Sequence, residues 1–527
     1  METSVKFAVS LLGIILVLIE MAQARRKSHL ARIAHWSLSA VAGVSILVCG
    51  FLWLQHIAFP LNLDLMEGTI LQHFRRAVEF QPIYPAPTSD YVPLAYNPLY
   101  YVLSIPFAWV FGVNLSTLRF VSILGALGSG LIVYRVVRGQ TTSRWWGLMS
   151  IGLFAAAYSA MDAYLDTAHS DAWLLCASLT GSYLIGLNRS RWWNLTGIVT
   201  LVAAFWFKQH GALFALGGLL FLTWREGIRR SLLYWITVVA LGPILYIFAG
   251  DWLFGSHFHY FTWQVPRQWS EFNLDNFKRY FGFIQRSYPV LALSSIAVFS
   301  WGLAKHRNQL EIWHFQFVAA ALAGFMGTLD HGSSNNVFIP MGTLFILMGV
   351  LGLHALSQES RLAQRYRIYL LALFISFAAF VYNPQHVLIS PFANASYSDF
   401  ISTLRHLDGN VYAPSLGQLQ RDYSFYPAAN WVALEDMVRG PGRTIENQPI
   451  VRQLLNDVIH PSRPTFILSN YLVEQVTPAI AFLNDYYTLE TDFGDRFEPL
   501  RCLIKRFDHG YPRYLYRYTA ARAVDHP

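Results

Sequence analysis

Two carboxylates lie close together directly after an apolar run near the start of the chain. Asp64 and Glu67 belong to the stretch Asp64-Leu-Met-Glu67-Gly68, and their spacing would place both on one face of a helix. A carboxylate that is partly removed from water has a raised pKa and can act as a general base. The same spacing also fits a helix start with acids in its first turn.

A second acidic group follows about one hundred residues later and comprises Asp162, Asp166, His169 and Asp171. Asp171 directly precedes an apolar run, and ionisable groups at membrane depth usually face a cavity or a partner. We therefore predict a functional role for Asp171, whereas Asp162 and Asp166 fit simple solvation of a loop. His169 beside carboxylates suggests a divalent cation, but the paired spacing of metal ligands is missing, so no cofactor is assigned with certainty.

Cationic and aromatic residues provide candidate contacts to a substrate. Lys208-Gln209-His210 lies between two apolar runs, where a lysine can neutralise a phosphate and its neighbours can add hydrogen bonds. A lysine that extends to the interface is the alternative. Arg76 and Arg267 are further candidates for binding the phosphate of a donor. Other candidate substrate contacts are Tyr96, Tyr100, His169, Gln209, Tyr260, Trp263, His331 and Asn336.

Composition indicates what positions these residues. The chain has 527 residues, of which 54% are hydrophobic and 13% charged, and its mean hydropathy is +0.34. Such a composition is typical of a protein that is dissolved in lipid. The net charge of +8 does not indicate nucleic acid, because the Lys and Arg residues mostly form short clusters between apolar runs.

Apolar runs predict a membrane helix bundle of about 12 spans, since about 20 apolar residues cross a bilayer. The predicted spans are 5–23, 36–59, 117–134, 146–161, 172–187, 193–207, 211–224, 232–249, 288–303, 313–329, 337–355 and 368–382.

The run from Asn97 to Gly112 decides the topology. If it lies in the membrane surface, most basic clusters share one side, which the positive-inside rule makes the cytoplasm. We therefore predict an interfacial helix there. The long loop 60–116, the acidic groups and the C-terminal region would then face the non-cytoplasmic side, as in a multi-pass protein of a plasma or bacterial inner membrane.

The apolar runs end near residue 383, so residues 1–383 are predicted to form the membrane domain. Residues 384–527 alternate strand-like and helical patterns and predict a small soluble α/β domain. Predicted strands are 410–413, 465–468, 500–507 and 514–518; predicted helices are 398–407, 450–459 and 475–484.

Residues 36–382 resemble the GT-C type of membrane glycosyltransferases, in particular the group of the aminoarabinose transferase of lipid A and the protein O-mannosyltransferases. The resemblance rests on the order of several short motifs rather than on any one of them. In this chain they are DLMEG, YNPLYY, the Gly112 to Arg119 spacing, AHSDAW and KQHG.

The resemblance implies transfer of a sugar from a polyprenyl-phosphate donor to a hydroxyl of a lipid, glycan or protein acceptor, with membrane lipid around the protein and no nucleic acid as partner. Glu67 matches the family's acidic position before glycine, and Asp171 matches its later aspartate. The chain has Met66 where the family often has a second acid, so the base is either Asp64 or Glu67. The alternatives are a transporter or lipid flippase and a non-catalytic membrane assembly protein.

Overall fold

The structure is a computed structural model, and it describes residues 29–305, 310–330, 332–359, 367–416, 419, 425–440, 449–459, 463–476, 478–503 and 510–519. The predicted span 5–23 and the candidate contact His331 lie outside the described residues. All structural statements below refer to the described part of the chain.

Helices dominate residues 29–379, and every predicted span from 36–59 onward coincides with a helix. They are α1 (His29–Ala58), α2 (Glu67–Val78), α3 (Leu99–Phe111), α4 (Leu115–Thr141), α5 (Arg144–Ala156), α6 (Asp171–Gly186), α7 (Arg191–Phe207), α8 (Gly211–Glu226), α9 (Ile228–Phe254, with a π-helical turn Ala240–Ile244), α10 (Leu274–Ser287), α11 (Pro289–Lys305), α12 (Ile312–Thr328), α13 (Ile339–Glu359) and α14 (Ile368–Ala379).

Local sequence signals explain where several of these helices begin. The side chains of Asn114, Ser143 and Ser190 accept hydrogen bonds from the first turns of α4, α5 and α7. Such caps satisfy backbone N–H groups that have no partner within the helix. Gly112 and Gly227 adopt φ values of +81° and +82° between consecutive helices, which only glycine adopts without strain.

The bundle is that of an integral membrane protein. Among the described residues, five helices are long and apolar enough to cross a membrane, or six if α10 and α11, which meet at 101°, form one broken span. The remaining helices are shorter than the roughly 20 residues that a perpendicular crossing needs. The helical bundle is thus confirmed, and the count of about 12 spans stays a prediction.

Burial separates the centre of the bundle from its periphery. The most apolar window of the segment Asn335–Gln358 is 83% buried, whereas that of Ile228–Phe254 is only 17% buried. The first therefore runs through the core, and the second presents most of its surface outward. Helix α3 has 13 residues and exposes Trp109 and Val110 while Tyr100 is buried, which supports the predicted helix in the membrane surface.

The C-terminal region forms a small α/β unit. Its strands are β1 (Val411–Tyr412), β2 (Phe425–Tyr426), β3 (Phe466–Ser469), β4 (Tyr487–Asp492) and β5 (Tyr514–Tyr518), in the order β2-β1-β3-β5-β4. The pairs β1–β2 and β1–β3 are parallel, and β5 is antiparallel to both β3 and β4. Its helices and helical turns are α15 (Ala393–Arg405), α16 (Trp431–Val438), Pro449–Leu454, Asn456–Ile459, Val473–Val476, Pro478–Asp485 and Glu498–Leu500.

Three of the predicted strands are confirmed, and the one at 500–507 is wrong where it can be described. Residues 498–500 form a 3₁₀ turn, no strand follows over 501–503, and 504–509 lie outside the described residues. Strand β4 was missed because it is a polar edge strand, TLETD after Tyr487, with little apolar alternation.

The C-terminal unit packs directly on the first loop of the membrane domain. Phe59, Leu61 and Leu63 are buried in the same hydrophobic cluster as Phe400, Leu468 and Leu515. The Leu503 N–H donates to the carbonyl of Leu63 at 3.1 Å, and the Gln72 amide donates to the carbonyl of Ala428 at 3.1 Å. This packing holds the soluble unit over the acidic motif.

Candidate active site

A cavity of about 510 Å³ lies where the first loop, several helix ends and the C-terminal unit meet. The sequence-predicted residues that line it come from five separate stretches of chain. They are Asp64, Tyr96, Lys208, Gln209, His210, Trp263, Arg267 and Asn336.

Asp64 is the acidic-motif residue that faces this cavity. Its carboxylate accepts 3.2 Å hydrogen bonds from the Met66 N–H and from the Tyr164 hydroxyl. Burial raises the pKa of Asp64 from its ordinary value of 3.8 to about 6; the neighbouring His169 opposes the rise, and Glu67 adds to it. A carboxylate with such a pKa is ionised at neutral pH yet basic enough to accept a proton.

Glu67 lies behind the cavity rather than in its lining, and both of its carboxylate oxygens are hydrogen-bonded. Both of its oxygens contact the buried Arg119 guanidinium, at 3.0 and 2.5 Å, and they also accept the N–H groups of Leu63 and Ala168 at 2.7 and 2.8 Å. Arg119 further donates to the carbonyls of His56, Phe59 and Leu61. The Glu67–Arg119 pair therefore fixes the turn that presents Asp64.

Asp171 and Lys208 form a direct ion pair. Lys208 Nζ lies 2.8 Å from Oδ1 of Asp171, and Nδ1 of His169 lies 2.6 Å from Oδ2. The Asn336 amide donates to that same Oδ2 at 3.2 Å. Lys208 and Asn336 line the cavity, whereas Asp171 and His169 are buried behind them. Asp171 thus orients the ammonium group toward the cavity.

Tyr96 lies between the two ends of the cavity. Its ring is 5.4 Å from Lys208 Nζ and meets the His169 ring edge-on at 4.9 Å, and its hydroxyl donates to the sulfur of Met66 at 3.5 Å. Burial, together with Asp436, Asp171, Asp330 and Asp64, raises the pKa of Tyr96 well above its usual value. Its hydroxyl therefore remains a donor at any physiological pH.

The other predicted phosphate contacts differ in charge. Burial and the neighbouring Lys208 lower the pKa of His210 to about 4, so His210 is neutral at pH 7 and offers hydrogen bonds only. The Gln209 amide donates to the carbonyls of Ala95 and Thr262. Arg267 is exposed at the cavity edge together with Trp263.

Besides Glu67, Asp171 and His169, three further predicted residues do not line the cavity. Arg76 donates to the carbonyl of Pro82 and stacks on Tyr91, and its position on the outer face of α2 points it away. The Tyr100 hydroxyl bonds to the Leu118 carbonyl and to Ser122 inside the bundle. Tyr260, in a π-helical turn, packs on His257 and Phe261.

Asp162 and Asp166 are not solvated loop residues. Asp162 accepts hydrogen bonds from Ser334, from the Asn335 backbone and from the Asn335 side chain at 2.5 to 3.1 Å. Asp166 lies 2.7 Å from both His56 and the Tyr158 hydroxyl. Both carboxylates fasten the backbone around the cavity, because a buried acid needs such partners.

Sequence reasoning missed a wall of the cavity that the C-terminal unit supplies. Helix α16 and the residue after its end contribute Trp431, Glu435, Asp436 and Arg439, and Trp269 and Asp330 face them. Arg439 lies 3.2 Å from Asp436 and 3.4 Å from Asp330, and its guanidinium stacks on Trp269 at 4.1 Å. The acids and the arginine spaced three and four apart were the available signal for this helix face.

A metal site does not emerge from the described residues. No group of three or more His, Cys, Asp or Glu side chains among them is arranged to hold an ion. The divalent cation that the sequence left open therefore stays an untested prediction.

The chain has a GT-C-like fold, as its alignment with a solved structure shows. That structure is ArnT from Cupriavidus metallidurans in the apo state, at TM-score 0.50 and 10% identity, with 90% of this chain and 97% of that chain covered. At this identity the likeness shows the fold alone.

Two further structures align less well. ArnT from Cupriavidus metallidurans bound to undecaprenyl phosphate gives a TM-score of 0.49 at 11% identity, covering 90% of this chain and 97% of that chain. The Archaeoglobus fulgidus oligosaccharyltransferase in complex with Zn and sulfate gives 0.47 at 11% identity, covering 90% and 72%. No protein-family model and no curated protein matches the sequence.

Proposed function

We propose that the protein is a glycosyltransferase that moves a sugar from a polyprenyl-phosphate donor to an acceptor hydroxyl at the non-cytoplasmic face of the membrane. One observation carries the proposal: Asp64, a carboxylate with a raised pKa, and Lys208, a buried ammonium, line the same cavity from separate stretches of chain.

The chemistry assigns Asp64 as the base. The acceptor oxygen attacks the anomeric carbon while its proton passes to the carboxylate of Asp64. The bond between the anomeric carbon and the phosphate oxygen breaks, and the lipid phosphate leaves with the bonding electron pair. Glu67 is held by Arg119 and backbone N–H groups and is a positioning residue in this scheme.

Lys208 stabilises the negative charge on the departing phosphate. Its ammonium is aligned by Asp171, and the neutral His210 offers hydrogen bonds beside it. Arg267 at the cavity edge supplies a further cation. The step involves no nucleotide.

The isoprenoid tail has an apolar groove available. A groove of about 210 Å³ between α8, α11 and α12 is lined by Leu213, Leu322 and other apolar residues. Leu213 follows the cavity residue His210 by one helical turn, and Leu322 precedes the cavity residue Met326 by one turn. A lipid whose phosphate contacts Lys208 can therefore place its tail along this groove.

The test measures transfer from labelled polyprenyl-phosphate sugars to candidate lipid, glycan and protein acceptors. Wild type, Asp64→Asn, Glu67→Gln and Asp171→Asn are compared with Asp399→Asn, whose carboxylate pairs with Arg496 on the exposed face of the C-terminal unit. We expect loss of transfer in Asp64→Asn and full activity in Asp399→Asn. Unchanged turnover in Asp64→Asn, or movement of the intact lipid without sugar transfer, would refute the proposal.

A further inference from the structure

The wall formed by α16 contains buried polar atoms without a partner in the described part of the chain. Asp436 is 3% exposed, and its Oδ2 accepts no hydrogen bond. Trp431 is 8% exposed, and its indole N–H donates none. Both side chains line the cavity. Buried polar groups are nearly always hydrogen-bonded, so these two atoms indicate a ligand that is bound during function.

The two atoms without hydrogen-bond partners, Asp436 Oδ2 and the Trp431 indole N–H, indicate the chemical type of that ligand. One is an acceptor and the other a donor, and a hydroxyl can satisfy both kinds. A phosphate fits poorly, because Arg439 is already shared between Asp436 and Asp330, and Glu435 adds another acid. The ring of Trp269 is stacked under Arg439, but the exposed ring of Trp263 lines the same cavity and adds a flat apolar face. Aromatic faces beside polar acceptors suit a sugar ring.

The position of the wall selects between donor and acceptor sugars. Tyr96 is 5.4 Å from Lys208 Nζ, and Tyr96, Lys208 and Asp436 all line the same cavity of about 510 Å³. The wall and Lys208 therefore face one common space. The transferred sugar is bonded directly to the phosphate, so it is the group that can contact the wall while the phosphate contacts Lys208.

We propose that Asp436 and Trp431 determine sugar specificity by hydrogen-bonding a hydroxyl of the sugar carried by the donor lipid. This inference rests on the proposed glycosyltransferase function. It makes the C-terminal unit part of the donor site rather than only a support for the acceptor.

The experiment compares binding of two ligand forms to the full-length protein. Undecaprenyl phosphate without a sugar is measured against undecaprenyl phosphate carrying mannose, glucose, galactose or arabinose. In Asp436→Asn the amide oxygen faces Arg439 and the NH₂ group faces the cavity, so the acceptor is lost. We expect affinity for the preferred glycosylated form to fall about ten-fold, with affinity for the bare lipid phosphate unchanged. Trp431→Phe should give the same selective loss.

The matched control is Asp399→Asn, which removes a carboxylate from the same unit outside the cavity and should leave both affinities unchanged. Equal losses for both lipid forms, or no loss in either variant, would overturn the inference and leave the proposed function standing. A wild-type protein that binds neither form would reject the proposed function itself. If Asp436→Asn does not fold, Trp431→Phe decides the question.

Discussion

The assignment of Asp64 as base and Glu67 as positioning residue makes a prediction about two substitutions with opposite effects. Folding raises the pKa of Asp64 from 3.8 to about 6, so the folded protein favours its protonated form. The free energy of unfolding therefore falls as pH rises from 3.8 to about 6, and above that pH the contribution of Asp64 is constant. A shift of this size corresponds to about 3 kcal/mol, at about 1.4 kcal/mol per unit.

Asp64→Asn removes that cost, because the neutral amide keeps an oxygen for the Tyr164 hydroxyl or the Met66 N–H. We expect a midpoint of thermal unfolding at pH 7 that equals or exceeds that of wild type, together with a fall in kcat of about 10² to 10⁴. Glu67→Gln leaves the buried Arg119 without its counter-charge, which costs about 3–5 kcal/mol. Its unfolding midpoint should fall clearly.

The assay is thermal unfolding of the purified protein in detergent, paired with turnover measured from pH 5 to pH 8. Wild-type kcat/KM should rise about ten-fold between pH 5 and pH 7 and then level, as expected for a base with a pKa near 6. The reasoning would be refuted if Asp64→Asn lowered the unfolding midpoint as much as Glu67→Gln does, or if Glu67→Gln alone abolished turnover in a stably folded protein.

Three further substitutions test the remaining parts of the site. Lys208→Met should lower the midpoint of thermal unfolding, because it leaves Asp171 buried without its counter-ion. The double variant with Asp171→Asn should regain the midpoint but not turnover. Unfolding curves and transfer assays of both proteins check this. Asp166→Asn should destabilise the protein through loss of the buried His56 contact, while KM for the donor in the folded fraction stays unchanged. Tyr96→Phe should raise KM for the glycosylated lipid more than it raises the Kd of the bare lipid phosphate, as measured by binding of both lipid forms.

The helices of the membrane domain were predictable because their signal is local. Apolar length predicts a helix in a lipid solvent, and each described run such as 117–134 or 368–382 became one. The number of crossings was less predictable, since α5 and α6 have only 13 and 16 residues and their insertion depends on neighbours. Strand β4 was missed because its sequence is polar and it lies at the edge of the sheet, where little apolar alternation is required.

The part of the candidate site that comes from the membrane domain was predictable, but the wall from the C-terminal unit was not. Asp64, Lys208 and Asn336 each stand next to an apolar run, where a charged or polar residue is conspicuous. Trp431 and Asp436 stand in a polar region, where acids and aromatics are ordinary. Asp436 is removed from water where α16 packs beside Trp269 and Asp330, and burial raises its pKa to about 7. The proposed role of this wall therefore depends on tertiary contact, which local patterns do not contain.

The buried acidic residues differ in how many hydrogen bonds and ion pairs the fold gives to each carboxylate. Four of the buried acids are paired with cations or accept several hydrogen bonds, and these contacts hold backbone segments together. They are Glu67, Asp162, Asp166 and Asp171. Asp64 has only two hydrogen bonds of 3.2 Å and no ion pair in the described chain, yet it is equally buried. Burial is therefore what raises the pKa of Asp64 and makes its carboxylate a stronger base. In a less tightly packed loop, water would reach the carboxylate, and its pKa would return to the ordinary value.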